Sequence, residues 1–559
     1  MRLHCIELPV PSPDEAGRWL ESVLHFLPVD DGRLYVCGNF RLRLVTAEGD
    51  APSRAPDKIV GLEHIALETP DAGALLRALL SKGLELEHDR GVPFFNPKVF
   101  GTGTKYFNLI APFGTKFEFC QRLDKDYPSD SSEILGLEHI GLSAHDFAAS
   151  FRELSAYGFR PQFAPVENDT ARGRVQCVVL DGPAPIELYS FEGAQAFPEA
   201  DPTRAPRLVF RANAEASLKE RNGACIRCEA AAKYDIVALG EALIDFVPGG
   251  QQESGKVSYL GAPGGAPSNV LAAASHLNMQ TAFIGKVGND VFGRLIRSTM
   301  ERNSICTDGL LRSETEPTTL AFVSLDERGD RSFSFYRQHS ADCMLRSAEL
   351  PLTLLEQAGI FHFGSVSMTA EPARSATLDA VKYAKAKGAA IAFDPNLRLP
   401  LWPDTDSAYH AICEGLRYAD LVKLSEEELE FLTKAADHTA GMRELLERYD
   451  IRMLVVDSKN PLGADGCLCL CRNGVFLRQH TIQVTVLDTT GSGDAFWGTF
   501  LSELLLCDCC DRIPAPQVLQ HILGVSCVAG SLTATAFGAV PAMPTASALH
   551  AGMLRLLER

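Results

Sequence analysis

No run of about 18 apolar residues, the length a helix needs to cross a bilayer, occurs in this 559-residue sequence. Its opening, MRLHCIELPVPSPDE, turns polar and proline-rich before the roughly 7-to-15-residue apolar core of a secretory signal could form. Basic residues are in deficit: 53 Lys and Arg against 71 Asp and Glu leave a formal net charge of -18. With no basic patch either, a phosphate backbone is excluded as the main partner. Neither GxxxxGKS nor GxxxxGKT is present, which excludes a P-loop. Cys225 and Cys228 have no second CxxC pair at zinc-ribbon spacing and read as linker thiols. Together these absences point to a cytoplasmic protein acting on small molecules, with neither membrane nor nucleic acid as partner and with its 16 cysteines reduced.

What is present suits large cores. At 46% hydrophobic residues the composition is that of a globular chain, and its length suggests about three domains. Cys467, Cys469 and Cys471 in CLCLC alternate like the inner face of a strand, whereas Cys507, Cys509 and Cys510 close a helical segment with no histidine beside them. GLEHIAL, at 61–67, returns as GLEHIGL at 136–142. Each copy is followed by a helical pattern and short strand-like runs ending in TKFEFCQ and APIELYS, so each unit reads β-α-β-β-β. A shorter copy opens the chain at LHCIELPV, and a degenerate fourth starts at RLVFRANAEASLKERNG. Residues 1–195 therefore form one region and 196–233 a linker or degenerate fourth unit. From 234 to 559, short apolar runs alternate with helical stretches, the grammar of a mostly parallel sheet covered by helices on both faces.

In this last region DTTGSGDAF, at 488–496, separates an alternating segment (Ile482, Val484, Val486), read as a strand, from helically spaced Phe496, Trp497, Phe500, Leu501, Leu504 and Leu505. A helix N-terminus attracts anions through its free amides and dipole. Gly491 and Gly493 let successive amides converge on one oxyanion. Asp494 beside such an anion is repulsive unless it takes a proton from a hydroxyl that attacks phosphorus. The alternative is a glycine-rich turn with an aspartate N-cap. A second glycine-rich helix start, GAPGGAPSNVLAAASHL at 261–277, offers Gly264, Gly265 and the donor and acceptor of Asn269, a mixture that suits a polyol.

The stretches YDIVALGEALIDF, GGAPSNVLAAASHLNMQTAFIGKVGNDVFGR, TTLAFVSLDERGDRSFSFYR, FDPNLRLPLW, VKLSEEELEFL and DTTGSGDAF resemble the PfkB (ribokinase-like) carbohydrate kinases, closest to bacterial fructokinases, from about Tyr234 to Thr545. The resemblance implies an α/β ribokinase-like sandwich that phosphorylates a monosaccharide hydroxyl with ATP and Mg2+, and a possible homodimer. Asp494 would be the base, and the amides of Gly491, Ser492 and Gly493 the anion hole. Asp245, Gly264, Gly265 and Asn269 would grip the sugar, with Arg337 resembling an arginine used on an acid sugar. Asn396, Arg398, Glu428 and Ser458 would serve the nucleotide, its phosphates and magnesium, and Asp488 with Gly538–Pro544 a monovalent cation such as K+. Three positions depart from the family pattern: the long loop DSKNPLGADG at 457–466, Cys527 for a common asparagine, and Ser425 for another. Fructose is favoured as substrate over 2-dehydro-3-deoxygluconate.

The N-terminal α+β repeats of βαβββ units resemble the vicinal-oxygen-chelate (glyoxalase and bleomycin-resistance) superfamily. That resemblance implies a divalent metal with His64 and Glu118 as ligands. They would be joined by His4 if the first two units pair, or by His139 and Glu187 if the second and third do. A binding module without catalysis is the alternative. Three readings stand at this point: a sugar kinase with an accessory module, a kinase that is also a metal-dependent lyase or dioxygenase, and a degenerate ligand sensor.

Overall fold

The computed structural model describes residues 2–557 except 30–32, 39, 48–60, 85, 87–90, 98–101, 126, 128–133, 145, 157–158, 163, 171–172, 182–183, 192–206, 213–215, 220–224, 231–232, 252–256, 326–330, 458–465 and 508. The chain separates into two compact units, Met1–Ala231 and Ala232–Arg559. No helix among the described residues is long and apolar enough to cross a membrane.

In the first unit, helix Pro13–Leu24 starts where Ser12 caps the Glu15 amide, and it buries Ala16, Leu20 and Leu24 along one face. Helix Ala72–Ser81 starts under Asp71, whose carboxylate accepts the amides of Gly73 and Ala74, and buries Leu75, Leu76 and Leu79. Each packs on strands that follow it. A nine-stranded sheet carries the copies beginning at Gly61 and Gly136, joined by antiparallel pairing of Gly61–Glu68 with Gly136–Ser143. A seven-stranded sheet carries Arg2–Val10, paired antiparallel with Arg207–Ala212.

Two expectations are corrected by this pairing. Arg207–Ala212, Ala216–Lys219 and Cys225–Ala230 are strands of the seven-stranded sheet, so Cys225 and Cys228 stand in a strand and not in a linker. The driving force is apolar: Leu208, Val209 and Phe210 are buried, and Ile6 and Leu8 on the neighbouring strand are buried with them. Gly61–Glu68 pairs with Gly136–Ser143 and not with Arg2–Val10, so the second and third units join and His64 and Glu118 gather with His139, which corrects their grouping with His4.

The second unit is built on a nine-stranded sheet in the order Ile305–Ser313, Thr281–Gly288, Tyr234–Leu239, Ala358–Phe363, Ala390–Phe393, Leu421–Ser425, Met453–Asp457, Cys467–Cys471 and Phe476–Gln479. The first seven strands pair in parallel, and Cys467–Cys471 and Phe476–Gln479 are added by two successive antiparallel pairings. Tyr234–Leu239 and Leu421–Ser425 are buried at every position, as strands covered on both faces are, and their apolar sequence is broken only by Asp235, Lys423 and Ser425. Cys467, Cys469 and Cys471 are buried, as their alternation implies. A smaller sheet holds Val257–Gly264, Leu243–Gln251, Leu320–Leu325 and Arg331–Tyr336.

The segment with Ile482, Val484 and Val486 is not a strand. It runs beside helix Pro516–Thr533 instead of a sheet edge: the Leu487 and Asp488 amides donate to the Ala534 carbonyl, and the Thr481 hydroxyl to that of Cys527. Helices Ala266–His276 and Ser492–Leu506 are buried on nearly all sides. They touch at Gly498, where an added Cβ would strike the Val270 carbonyl and stand 2.8 Å from Ala273 Cβ. Gly498→Val should therefore force these helices apart and cost roughly 1–3 kcal/mol. Urea unfolding would read this as a lower midpoint, and an unchanged midpoint would contradict the close contact.

Candidate active site

A cavity of about 1050 Å3 opens in the second unit, and the amino ends of those two helices meet in its wall. Both helices begin at a glycine with a left-handed backbone, Gly265 at φ 116° and Gly491 at φ 80°. A Cβ at Gly265 would strike the Glu241 carbonyl, and one at Gly491 would stand 2.7 Å from Ala539 Cβ. Gly264 leaves room for the Asp245 carboxylate.

Asp494 lies in the first turn of Ser492–Leu506, and Asn269 Nδ2 donates to its Oδ2 at 2.9 Å. Burial pushes the Asp494 carboxyl up to about 6; the Asn269 hydrogen bond opposes the shift and the Asp394 charge adds to it. Burial likewise raises Asp245 to about 6, against the Arg398 charge and with that of Asp494. Asn269 Oδ1 and Ser492 Oγ are buried without a hydrogen-bond partner among the described residues. Of the three amides expected to form an anion hole, that of Ser492 is turned to the Thr489 carbonyl at 3.2 Å, which leaves Gly491 and Gly493 of that set. Asp488 ties the corner down: its carboxylate accepts from the Thr490 amide at 2.8 Å and the Gly538 amide at 3.0 Å.

Asn396 and Arg398 follow strand Ala390–Phe393 and also line the cavity, Asn396 with φ 48°. Glu428 is bracketed by the backbone: its two oxygens accept the amides of Leu397 and Ser425 at 2.7 and 2.8 Å, the latter within a capping box with Ser425. Its carboxylate thus braces the loop that carries Asn396 and Arg398. Ser458 lies outside the described residues. Cys527 lines the cavity with its Sγ 3.6 Å from that of Cys467.

Arg337 does not line the cavity, and its reading as a sugar ligand is corrected. Its buried guanidinium donates to Asp342 at 2.7 Å, to the Val366 carbonyl at 2.9 Å and to Thr369. A buried ionic group that sequence reading missed does line it: Lys423 Nζ lies 2.9 Å from Asp394 and 3.3 Å from Asp457, close beneath Gly493. Burial works against the Lys423 charge, but Asp394, Asp457 and Glu428 hold its pKa above the ordinary lysine value.

The first unit gathers His64, His139, Glu118 and Glu187 on one face of its nine-stranded sheet. The imidazoles meet Nε2 to Nε2 at 2.9 Å, with Glu187 Oε2 at 3.7 Å from His64 and 3.4 Å from His139, and Glu118 Oε1 at 3.8 Å from His139. His64 Nδ1 is bonded to Glu63 at 2.6 Å and His139 Nδ1 to Glu138. Gly141 makes this possible, since a Cβ there would strike the His64 ring. Burial opposes charge on both imidazoles, but Glu118 and Glu63 around His64, and Glu138 and Glu187 around His139, keep each above the ordinary histidine value.

A family model described as pfkB family carbohydrate kinase matches residues 233–546. The chain is 39% identical to a probable chloroplastic fructokinase-6 of Arabidopsis thaliana over 323 residues, 57% of this chain and 82% of that protein. It is 40% identical to fructokinase-2 of Solanum lycopersicum over 316 residues, 56% of this chain and 94% of that one. Among solved structures, the fructokinase of Xylella fastidiosa with bound ATP aligns at a TM-score of 0.52 and 33% identity, covering 59% of this chain and all of the other (100%). A fructokinase double mutant of Vibrio cholerae, in a form with fructose, ADP and potassium ion bound, aligns at 0.51 and 32% identity, covering 58% of this chain and 100% of the other. With its largely parallel sheet, its paired glycine-started helices and the half-buried aspartate where they meet, the chain belongs to the PfkB family of carbohydrate kinases.

Proposed function

We propose that the second unit transfers the terminal phosphoryl group of ATP to a hydroxyl of fructose. The observation that carries this reading is Asp494, a half-buried carboxylate held by Asn269 in the first turn of a helix, beside the amides of Gly491 and Gly493. Ionised, it takes the proton of the attacking hydroxyl, while those amides and the positive helix end hold the oxygens of the migrating phosphoryl group. Asp245 and the unpartnered Asn269 Oδ1 orient the remaining hydroxyls. A neutral polyol suits the cavity better than an acid sugar, because Arg337 is consumed by Asp342 and a sugar carboxylate would face Asp245 and Asp494. Asn396, Arg398 and Lys423 supply the polar and cationic wall for the phosphates.

Magnesium, when bound with the nucleotide, spreads the phosphate charge. The fit is a shared one, since each Glu428 oxygen already accepts a backbone amide and keeps only its second lone pair. A monovalent cation is assigned to the corner of Asp488 and Gly538–Pro544, which Asp488 already folds together. Assays of ATP consumption over a panel of monosaccharides should give turnover on fructose, faster in K+ than in Li+. Turnover on 2-dehydro-3-deoxygluconate alone would overturn the substrate, and equal rates in both salts the cation.

Asp494→Asn should lower kcat by about 10²–10⁴-fold. In the wild type, kcat/KM should rise with pH through about 6 as Asp494 ionises. The stability effect has the opposite sign. The fold favours the protonated acid, so that contribution is full below the ordinary aspartate value and lost as pH rises through about 6. Asp494→Asn should therefore unfold at a higher temperature than wild type at pH 7.5, the gap closing below pH 6; a lower unfolding temperature at pH 7.5 would contradict the burial.

For the first unit we propose a divalent transition-metal centre formed by His64, His139, Glu118 and Glu187. With metal–ligand bonds of about 2.0–2.2 Å, neighbouring ligands stand roughly 3–3.5 Å apart, close to the spacing of these four groups. With each Nδ1 bonded to a carboxylate, the two Nε2 lone pairs face each other at 2.9 Å, an arrangement that only a proton or a cation between them relieves. A mixed imidazole and carboxylate set suits Mn2+, Co2+ or Zn2+, and such an ion would polarise vicinal oxygens of a small ligand. The purified chain, stripped with chelator and titrated with Mn2+ or Co2+, should take up one equivalent and lose it in His64→Ala. No uptake by the wild type would overturn the centre.

A further inference from the structure

Glu63 and Glu138 immediately precede the two histidines, and in a regular strand consecutive side chains point to opposite faces. Here they do not. Along the pairing of Gly61–Glu68 with Gly136–Ser143, Leu62 faces Leu142 and His64 faces Gly141, so Glu63 is an extra residue on its strand. Two pairs further on, Ala66 faces His139 and Leu67 faces Leu137, so Glu138 is an extra residue on the other strand. Each is therefore the inserted residue of a β-bulge, one per strand, placed symmetrically about the pair Ile65 and Ile140. A bulge re-aims the side chain it inserts, and each glutamate is thereby brought onto the Nδ1 of the histidine that follows it.

We propose that Glu63 and Glu138 are the positioning residues of the first unit's metal centre, and that the twin bulges exist to bring them onto the histidine rings. This rests on the metal-centre reading above. By accepting Nδ1–H, each carboxylate fixes its imidazole in the tautomer whose Nε2 is the ligand atom and locks the ring's rotation. Both glutamates are braced in turn by cations from the strand Lys116–Arg122, which also carries Glu118: Lys116 Nζ lies 2.9 Å from Glu63, and Arg122 3.7 Å from Glu138. One strand thus supplies a ligand and both counter-charges.

The test is Co2+ titration of the chelator-stripped full chain, read by the ligand-field absorption of the bound ion and by affinity. Glu63→Ala and Glu138→Ala should each weaken Co2+ binding by about 10–100-fold and alter the absorption band. Glu63→Gln and Glu138→Gln, whose amide oxygen still accepts Nδ1–H, should restore most of both. If the wild type binds Co2+ and His64→Ala does not, yet both alanine variants keep wild-type affinity and spectrum, the positioning role is wrong while the centre stands. Loss of binding in the Gln variants as large as in the Ala variants would equally overturn it. If the wild type itself takes up no Co2+, it is the metal centre that fails.

Discussion

Asp494 is pulled in two directions: the positive end of helix Ser492–Leu506 favours its charge, and removal from water opposes it. Burial prevails far enough to leave the group titrating at about 6, so that it is ionised at neutral pH yet basic enough to accept a proton. Everything around it serves that balance. A glycine must start the helix because the backbone there is left-handed, and a glycine must sit at 498 because a second buried helix crosses there to bring Asn269 into range. The parallel sheet then delivers Asp394 and Asp457 from the carboxyl ends of their strands, and Lys423 from within the strand between them, to the same cavity.

The corner was legible in the sequence because glycines, an acid and the onset of a 3.6-residue period coincide in nine residues. The alternation of Ile482, Val484 and Val486 was misleading for a physical reason: a period of two reports an extended chain with two environments, and a neighbouring helix supplies these as well as a sheet does. Arg337 misled differently. Its local motif is intact, but its fate is set by Asp342 in the following turn, a partner no pattern around the arginine announces. Lys423 was invisible because it occupies one position of a strand buried throughout, and its partner Asp394 is 29 residues away.

In the first unit the repeat itself was plain, and the histidines it marked do come together. The partner choice was not plain, because β-α-β-β-β units look alike whichever neighbour they join, and only the antiparallel pairing of Gly61–Glu68 with Gly136–Ser143 decides it. The glutamates before the histidines were overlooked because strand periodicity assigns them to the other face. The signal was the repetition of Glu as well as His in both copies, which a simple inside–outside alternation had no use for.

The pairing of Arg2–Val10 with Arg207–Ala212 bears on how this chain can be dissected. A fragment ended at residue 195, where composition first suggests a border, would strip the first strand of its antiparallel neighbour and leave a row of bare amides and carbonyls along a buried apolar edge. Such a piece would aggregate or recruit a second copy to complete its sheet. Only a cut near Ala231 leaves both sheets whole.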